Sequence, residues 1–219
     1  MTGGMRPASA ISADGPINLL NAVRVASSPD ARGRGVLVVM NGVINSARDV
    51  TMSHTTSVDT FKSREFGMQG VVLGDEVHFF AQSSRPHTIR SQFSLADFEK
   101  KNTLPRVEIV TAHADDDGFL VRACIHAGAA GIVHAGCGHG TVSEMLEGIL
   151  KEAVAGGCMV VRASRTGAGC VFNGPQQWQD EGFIPAGSLS PQKARILLQL
   201  ALNRFGADLT AIRSIFRTY

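Results

Sequence analysis

The stretch GIVHAGCGHGTVSE, residues 131–144, carries the clearest signal of fold in this chain. It opens with GIVHA, a short apolar run typical of a strand that is buried on both faces. A loop with three glycines comes next, and the apolar spacing from residue 141 to residue 154 predicts a helix. A strand, a glycine loop and a helix in this order indicate a repeating unit of an α/β fold.

The same alternation precedes this stretch. VEIVTA (107–112) predicts a strand, and the three aspartates at 115–117 can cap a helix that runs to about His126. Gly128 is expected to end that helix, because glycine readily adopts the left-handed conformation found at helix C-termini.

The alternation also continues after the stretch. MVVRAS (159–164) predicts another strand, and PQKARILLQLAL (191–202) predicts a helix with Ser190 as its N-cap and proline at its first position. A final helix is predicted over about residues 208–216. This half of the chain therefore predicts a small parallel sheet with helices on both faces.

The first part of the chain has a less regular pattern. Residues 16–26 predict a helix entered through Asp14-Gly15-Pro16, and VLVVM (36–40) predicts a buried strand. VVLGDEVHFF (71–80) predicts a hairpin, because two β-rich runs flank Gly74-Asp75. The fold class is thus α/β, with one domain over 1–90, a polar linker over 91–105 and a second domain over 106–219.

Composition favours a small-molecule substrate. The 219 residues are 44% hydrophobic, and 21 basic against 19 acidic residues give a formal charge of +2, with no long run of one sign. This balance gives no sign of a nucleic-acid or membrane partner. No apolar run is long enough to span a bilayer and no export leader is visible, so a cytoplasmic location is expected, with a periplasmic one as the alternative if further residues precede Met1.

Cysteines and histidines give no pattern of a metal or cofactor site. Cys124, Cys137, Cys158 and Cys170 form no C-x-x-C pair, so buried free thiols are expected. The seven histidines form no H-E-x-x-H motif. We expect neither a metal nor a cofactor.

Three polar stretches are candidate sites. The amides of the glycine loop at 134–144 could hold an anion or a carboxylate, or the glycines could simply form a turn. The loop has neither G-x-G-x-x-G spacing nor a P-loop lysine, which argues against a nucleotide. SRTGAGCVFNG (164–174) favours a structural role. At His54–Thr56 the threonines could make turn bonds, and Arg48 could pair with Asp49.

Thr2 is a fourth candidate, because it precedes two glycines. Several amide-cleaving enzymes present a nucleophilic threonine beside glycines, where the backbone can turn sharply. Composition alone does not decide whether Thr2 is such a residue.

Six strings together resemble the bacterial type II L-asparaginases. They are TGGMRPASAISADGPINLLNAVRVA (2–26), GVLVVMNGVINSARDVT (35–51), HTTSVDTFKS (54–63), GIVHAGCGHGTVS (131–143), VVRASRTGAG (160–169) and SLSPQKARILLQLAL (188–202). They occur in the family's order and cover essentially the whole chain, which corresponds to the C-terminal two-thirds of a family member. The resemblance implies the later part of a larger α/β domain followed by a small α/β domain.

The resemblance implies that Thr2 is not the nucleophile. In the family the reacting threonine lies in a Thr-Gly-Gly-Thr motif, whereas Thr2-Gly3 matches a later strand end. The family's Thr-Asp motif and other substrate-gripping residues would also fall upstream of Met1. We therefore expect these 219 residues to hold no intact catalytic set.

One catalytic position of the family falls within this chain, at Met52. The family has a lysine there, which relays a proton from the threonine. A thioether neither gives nor takes a proton, so that relay cannot operate with Met52. Lys62 is near in sequence, but spacing alone does not show that it replaces the lysine.

The resemblance also implies a homo-oligomer in which neighbouring subunits complete each other's site. The family residue that crosses from the glycine loop aligns with Thr141, which is either a substrate contact or the N-cap of its helix. A second crossing residue would fall near Gln176 and Gln177.

Three functions remain open from the sequence. The chain is part of an L-asparagine amidohydrolase whose N-terminal portion is supplied separately, or a non-catalytic, oligomerising remnant, or a small nucleotide-binding module built on the glycine loop. The missing nucleotide fingerprint makes the third the weakest.

Overall fold

The computed structural model describes residues 1–97 and 103–219 and divides the chain into two compact units, Met1–Arg90 and Ser91–Tyr219. Part of the predicted linker is tied to the second unit, since the Asn203 amide donates to the Asp97 carbonyl at 2.9 Å. Residues 98–102 of that linker lie outside the described residues.

The first unit is a four-stranded antiparallel sheet with one helix and a separate two-stranded ribbon. The sheet order is β1-β2-β5-β6, and β3 pairs with β4. The elements are α1 (Gly15–Ser27), β1 (Leu37–Met40), β2 (Val43–Ser46), β3 (Thr51–Met52), β4 (Phe61–Lys62), β5 (Gly70–Leu73) and β6 (Glu76–Phe79), with 3-10 turns at Pro29–Ala31 and Thr88–Arg90.

Helix α1 begins where predicted, although Asp14 does not cap it with its side chain. The Asp14 carboxylate instead accepts hydrogen bonds from the Met5 and Arg6 amides, at 3.0 and 2.8 Å. These bonds stabilise the ionised form and lower the pKa of Asp14. Asp14 thus fixes the preceding loop, and it also accepts a hydrogen bond from the Asn18 side-chain amide of α1 at 3.0 Å.

Two glycine-containing turns shape the antiparallel sheet. The predicted hairpin is confirmed, with Gly74 at φ +62° between β5 and β6. A second hairpin, which sequence analysis did not predict, joins β1 to β2 through Asn41 and Gly42, at φ +51° and +71°. Asn-Gly is the preferred pair for such a turn, because both residues tolerate positive φ.

The second unit is a four-stranded parallel sheet in the order β10-β9-β8-β7, and it confirms the predicted alternation. A 3-10 turn at Leu95–Asp97 precedes it. The elements are β7 (Val107–Thr111), α2 (Phe119–His126), β8 (Gly131–Gly136), α3 (Glu144–Ala155), β9 (Met159–Ser164), α4 (Gln176–Asp180), β10 (Ile184–Pro185), α5 (Pro191–Phe205) and α6 (Leu209–Thr218).

Helices cover both faces of this sheet, as predicted. On one face α5 and α6 pack Leu198 and Ile212 against Val133 and Val161. On the other face α2 and α3 pack against β7, β8 and β9 in a second buried cluster. Strands β8 and β9 are buried along their whole length, which explains why their sequences are continuous apolar runs.

Helix ends follow the local capping chemistry. Ser190 caps α5 as predicted, with its hydroxyl accepting from the Lys193 amide, and Asp208 caps α6. The predicted capping of α2 by the aspartates at 115–117 is wrong, because they lie one to three residues before Gly118, which occupies the N-cap position. The Asp116 and Asp117 carboxylates accept from the Gly118 and Phe119 amides.

No helix in the described residues is both long and apolar enough to cross a membrane.

Candidate functional site

The loops at the carboxyl edge of the parallel sheet form the candidate site. Strands β7, β8 and β9 run in one direction, so the segments that follow them all emerge at the same edge. Open α/β sheets bind their ligands at this edge, because the loops there are free to vary while the strands hold them in place.

The glycine loop after β8 is a tight turn. Cys137 and Thr141 form an antiparallel bridge, with the Thr141 amide donating to the Cys137 carbonyl at 3.0 Å. Gly138 and Gly140 adopt φ values of +49° and +68°. A Cβ at Gly136 would lie 2.4 Å from the Thr141 carbonyl oxygen. The turn therefore requires glycine for steric reasons, independently of any ligand.

Thr141 is exposed at the end of this loop. The N-cap interpretation of Thr141 is wrong, because α3 begins only at Glu144 and Ser143 is its cap. The Ser143 hydroxyl accepts from the Leu146 amide at 3.4 Å. The predicted contact of Thr141 with substrate stays a prediction.

A buried polar pair, His134 and Arg162, lies beneath the loop. The two residues face each other across β8 and β9, with exposed fractions of 0% and 1%. His134 Nε2 lies 3.4 Å from the Thr141 carbonyl oxygen. Burial disfavours the charged ring and lowers the pKa of His134, while the nearby Asp116 carboxylate partly opposes this effect.

Arg162 is the functional candidate that sequence analysis missed. Its guanidinium donates to the carbonyls of Gly140 and Phe172, at 3.1 and 2.9 Å, and stacks on the Trp178 ring with 4.4 Å to the centroid. Burial lowers its pKa. The available signal was the single charged residue within the apolar run MVVRAS, since arginine is rarely buried without partners.

Met52 lies on the small β3–β4 ribbon of the first unit and is 50% exposed. Thr51 pairs with Lys62, and Met52 pairs with Phe61. Because successive side chains in a strand alternate between faces, Lys62 projects from the face opposite to Met52. The Lys62 amine also binds the Asp59 carboxylate at 2.7 Å. Lys62 therefore does not replace a lysine at position 52.

The polar stretch after β3 forms turn bonds. His54 Nδ1 accepts from the Thr56 and Ser57 amides, at 3.1 and 3.0 Å, and the Thr60 hydroxyl donates to the His54 carbonyl. Such bonds are the alternative that sequence analysis weighed for this segment.

Three further candidates from the sequence form hydrogen bonds or ion pairs within the chain. The Thr2 hydroxyl donates to the Val39 carbonyl at 2.8 Å, at the edge of the antiparallel sheet. The expected ion pair between Arg48 and Asp49 is present, at 2.7 Å. Gln177, on α4, donates to a Glu147 carboxylate oxygen at 2.5 Å.

The cysteines differ in exposure. All four are free thiols, but only Cys158 is buried, and Cys137 is exposed. The expectation of buried thiols is thus wrong for Cys137, because it lies in the glycine loop rather than in an adjoining strand. The described residues contain no cluster of three histidine, cysteine or acidic side chains suited to a metal ion.

Comparison with known families matches both units. The model of the Glutaminase/Asparaginase C-terminal domain matches residues 106–216, and the model of the Asparaginase N-terminal domain matches residues 1–85.

Individual relatives cover the whole chain. L-asparaginase 2 of Bacillus subtilis is 44% identical over 219 residues, which is 100% of this chain and 57% of the relative. L-asparaginase 2 of Escherichia coli is 40% identical over 220 residues, which is 100% of this chain and 62% of that protein. The chain therefore spans less than two-thirds of the length of these relatives.

A solved structure has the same fold. The crystal structure of a probable cytoplasmic L-asparaginase from Campylobacter jejuni superposes with a TM-score of 0.94 at 39% identity, over 100% of this chain and 70% of that one. The predicted α/β fold class is confirmed.

Proposed function

The chain belongs to the glutaminase/asparaginase family, and from that premise we propose that it contributes to the hydrolysis of L-asparagine to L-aspartate and ammonia. The observation that carries this proposal is the 44% identity, over the whole chain, to a protein named L-asparaginase 2. The six strings at 2–26, 35–51, 54–63, 131–143, 160–169 and 188–202 support assignment to the type II branch.

We further propose that the 219 residues do not hydrolyse asparagine by themselves. In this family a threonine attacks the amide carbon and forms an acyl-threonine that water later cleaves. Within this sequence, Thr2 is followed by Gly3, Gly4 and Met5 and not by the family's Thr-Gly-Gly-Thr string. The Thr2 hydroxyl is also engaged with a sheet carbonyl.

Met52 is the second reason for expecting no activity. A proton relay requires a titratable group, and methionine has none. Lys62 projects from the other face of the ribbon, so it is not placed to take over the task. The reaction would therefore need both a supplied threonine motif and a lysine at position 52.

The first unit has features that suit a supplied N-terminal portion. The Met1 amine donates to the Leu37 carbonyl, and the Val39 amide donates to the Met1 carbonyl, so Met1 pairs with β1 in the parallel sense. The outer side of α1 exposes four apolar side chains, at fractions of 47% to 59%: Ile17, Leu19, Leu20 and Val23. Exposed apolar surface of this kind favours a covering partner.

The remaining roles follow from the same proposal. In a homo-oligomer, Thr141 would contact the substrate bound by a neighbouring subunit. Amide hydrolysis by a threonine nucleophile needs no cofactor. The name of the Campylobacter jejuni structure favours a cytoplasmic location, and the Haemophilus influenzae relative named a probable periplasmic L-asparaginase keeps the periplasm as the alternative.

A second candidate function is a non-catalytic, oligomerising subunit. The exposed Met52 side chain favours this function, because a subunit that does not catalyse the reaction does not need the family's lysine at position 52.

Ammonia release from L-asparagine tests both candidates. Four proteins would be compared: the 219-residue chain, its Met52→Lys variant, and each of these joined to the N-terminal part of Bacillus subtilis L-asparaginase 2. We expect activity only in the joined Met52→Lys protein. Ammonia release by the unmodified chain would refute the need for a supplied N-terminal portion. If none of the four proteins releases ammonia while a full-length relative does, the result would favour the non-catalytic subunit.

A further inference from the structure

The backbone of Phe172 is held at two points by side chains from the carboxyl edge of the parallel sheet. His139 Nε2 accepts a hydrogen bond from the Phe172 amide at 3.0 Å. Arg162 donates to the Phe172 carbonyl at 2.9 Å. The first bond requires the histidine tautomer that carries its proton on Nδ1.

These two side chains connect the segment around Phe172 to the glycine loop. His139 is itself a residue of that loop, and the second arm of Arg162 donates to the Gly140 carbonyl at 3.1 Å. Gly140 directly precedes Thr141. The loop that presents Thr141 is therefore bonded to the segment around Phe172 through two consecutive residues, directly from His139 and by way of Arg162 from Gly140.

Arg162 is suited to holding two carbonyls in a fixed geometry rather than to supplying a positive charge alone. It is 1% exposed, its fork spans two carbonyls, and its stacking on Trp178 restricts the plane of the guanidinium. The Trp178 indole N–H in turn donates to Glu147 on α3, at 2.8 Å. A planar guanidinium holds two acceptors at once in a way that an ammonium cannot.

The segment after Phe172 packs so closely against Trp178 and Arg162 that position 174 requires glycine. A Cβ at Gly174 would lie 2.5 Å from the Trp178 ring and 3.1 Å from an Arg162 nitrogen. Close packing at Gly174 thus keeps Phe172 within reach of both bonds.

We propose that Arg162 and His139 are positioning residues for Thr141, and that they hold the glycine loop in the one arrangement that presents the Thr141 hydroxyl to substrate. This inference rests on the proposed function, in which Thr141 contacts L-asparagine. Neither residue touches substrate itself. Loosening the bond from the exposed His139 should leave the fold intact and change how the loop is held.

Amide hydrogen exchange of the 219-residue chain, resolved to single residues, tests the positioning directly. His139→Leu removes the acceptor, so the Phe172 and Thr141 amides should exchange about tenfold faster. His139→Gln returns an acceptor oxygen and should restore most of the protection. His126→Leu is the matched control, since His126 is also exposed but its ring bonds the Arg122 carbonyl on α2.

Arg162→Lys should have the same effect on the Gly140–Thr141 region, because one ammonium cannot bridge both carbonyls. Arg162 is buried, so this variant could also fail to fold, and the exposed His139 therefore decides the test. Unchanged exchange of the Thr141 amide in His139→Leu would overturn the proposal.

Kinetics of the joined Met52→Lys enzyme supply the functional readout. His139→Leu should raise KM for L-asparagine about tenfold and leave kcat within about twofold, as expected when a contact common to ground and transition states is lost. His139→Gln should rescue KM. If KM stays unchanged while the loop amides exchange faster, the proposal that these residues position Thr141 for substrate is overturned. If the joined enzyme is inactive, the proposed function fails, and exchange at Thr141 still decides whether the two residues hold the loop.

Discussion

His134 and Arg162 lie side by side on β8 and β9, on the face of the parallel sheet that α2 and α3 cover. Each follows an apolar residue of the same face by two positions, Ile132 for His134 and Val160 for Arg162. The sheet therefore changes from apolar to polar at its carboxyl edge, directly beneath the glycine loop. The burial of His134 at this edge predicts that the stability of the second unit depends on pH.

We expect the second unit to lose stability as the pH falls below about 6.5. Burial lowers the pKa of folded His134 below the ordinary value of 6.5. The unfolded chain then binds a proton that the folded chain does not, so stability is complete above that value and falls as the pH drops through the folded pKa. Urea unfolding between pH 8 and pH 5 would measure this, with fluorescence of Trp178, the one tryptophan, as the signal.

His134→Gln should flatten this pH dependence, because the amide does not titrate. His126→Gln, at an exposed histidine of α2, should leave it as in the parent chain. A parent chain with equal urea midpoints at pH 7.5 and pH 5.5 would contradict the prediction.

Gly136→Ala should destabilise the second unit by about 1–3 kcal/mol, because its Cβ would overlap the Thr141 backbone. Gly148→Ala is the matched comparison, since Gly148 is exposed within α3 and a Cβ there has no neighbour within 4 Å. That change should stabilise the unit by about 0.5–1 kcal/mol, through the higher helix propensity of alanine. Urea midpoints that shift in the same direction for both would refute the steric account.

Leu198→Ala should cost about 2–5 kcal/mol of unfolding free energy. Leu198 is 0% exposed and packs from α5 onto the sheet, so its removal leaves a cavity in the core. Ile196→Ala on the same helix should cost less than about 1 kcal/mol, because Ile196 is 48% exposed. Equal losses for the two variants, measured by urea unfolding, would show that α5 is packed differently.

A thiol reagent at pH 8 should label Cys137 in the folded chain and spare Cys158. Cys137 is exposed, whereas burial raises the pKa of Cys158 to about 11 and removes it from solvent. Mass spectrometry of peptides after brief labelling would identify the modified cysteine. Labelling of Cys158 at the rate of Cys137 would mean that the cluster between α3 and the sheet opens readily.

Much of the second unit was predictable because its signals are local. A strand buried on both faces needs a continuous apolar run, and Ser190 with Pro191 is a cap that the chain carries in adjacent residues. The hairpin through Asn41 and Gly42 had a local signal too, which was overlooked within the apolar stretch around it. The start of α3 was placed early at Thr141, since Thr141 and Ser143 are both good caps and only the bridge to Cys137 excludes the first.

The sequence by itself determined the strand–helix alternation of the second unit, the family and the absence of a titratable group at position 52, because periodicity and residue identity need no third dimension. The tertiary structure alone decided that Lys62 projects away from Met52, that His139 and Arg162 meet at Phe172, and that His134 is buried beside Arg162. Those relationships join residues on different strands and loops. Sheet pairing and packing bring them together, and no pattern along the chain records the resulting distances.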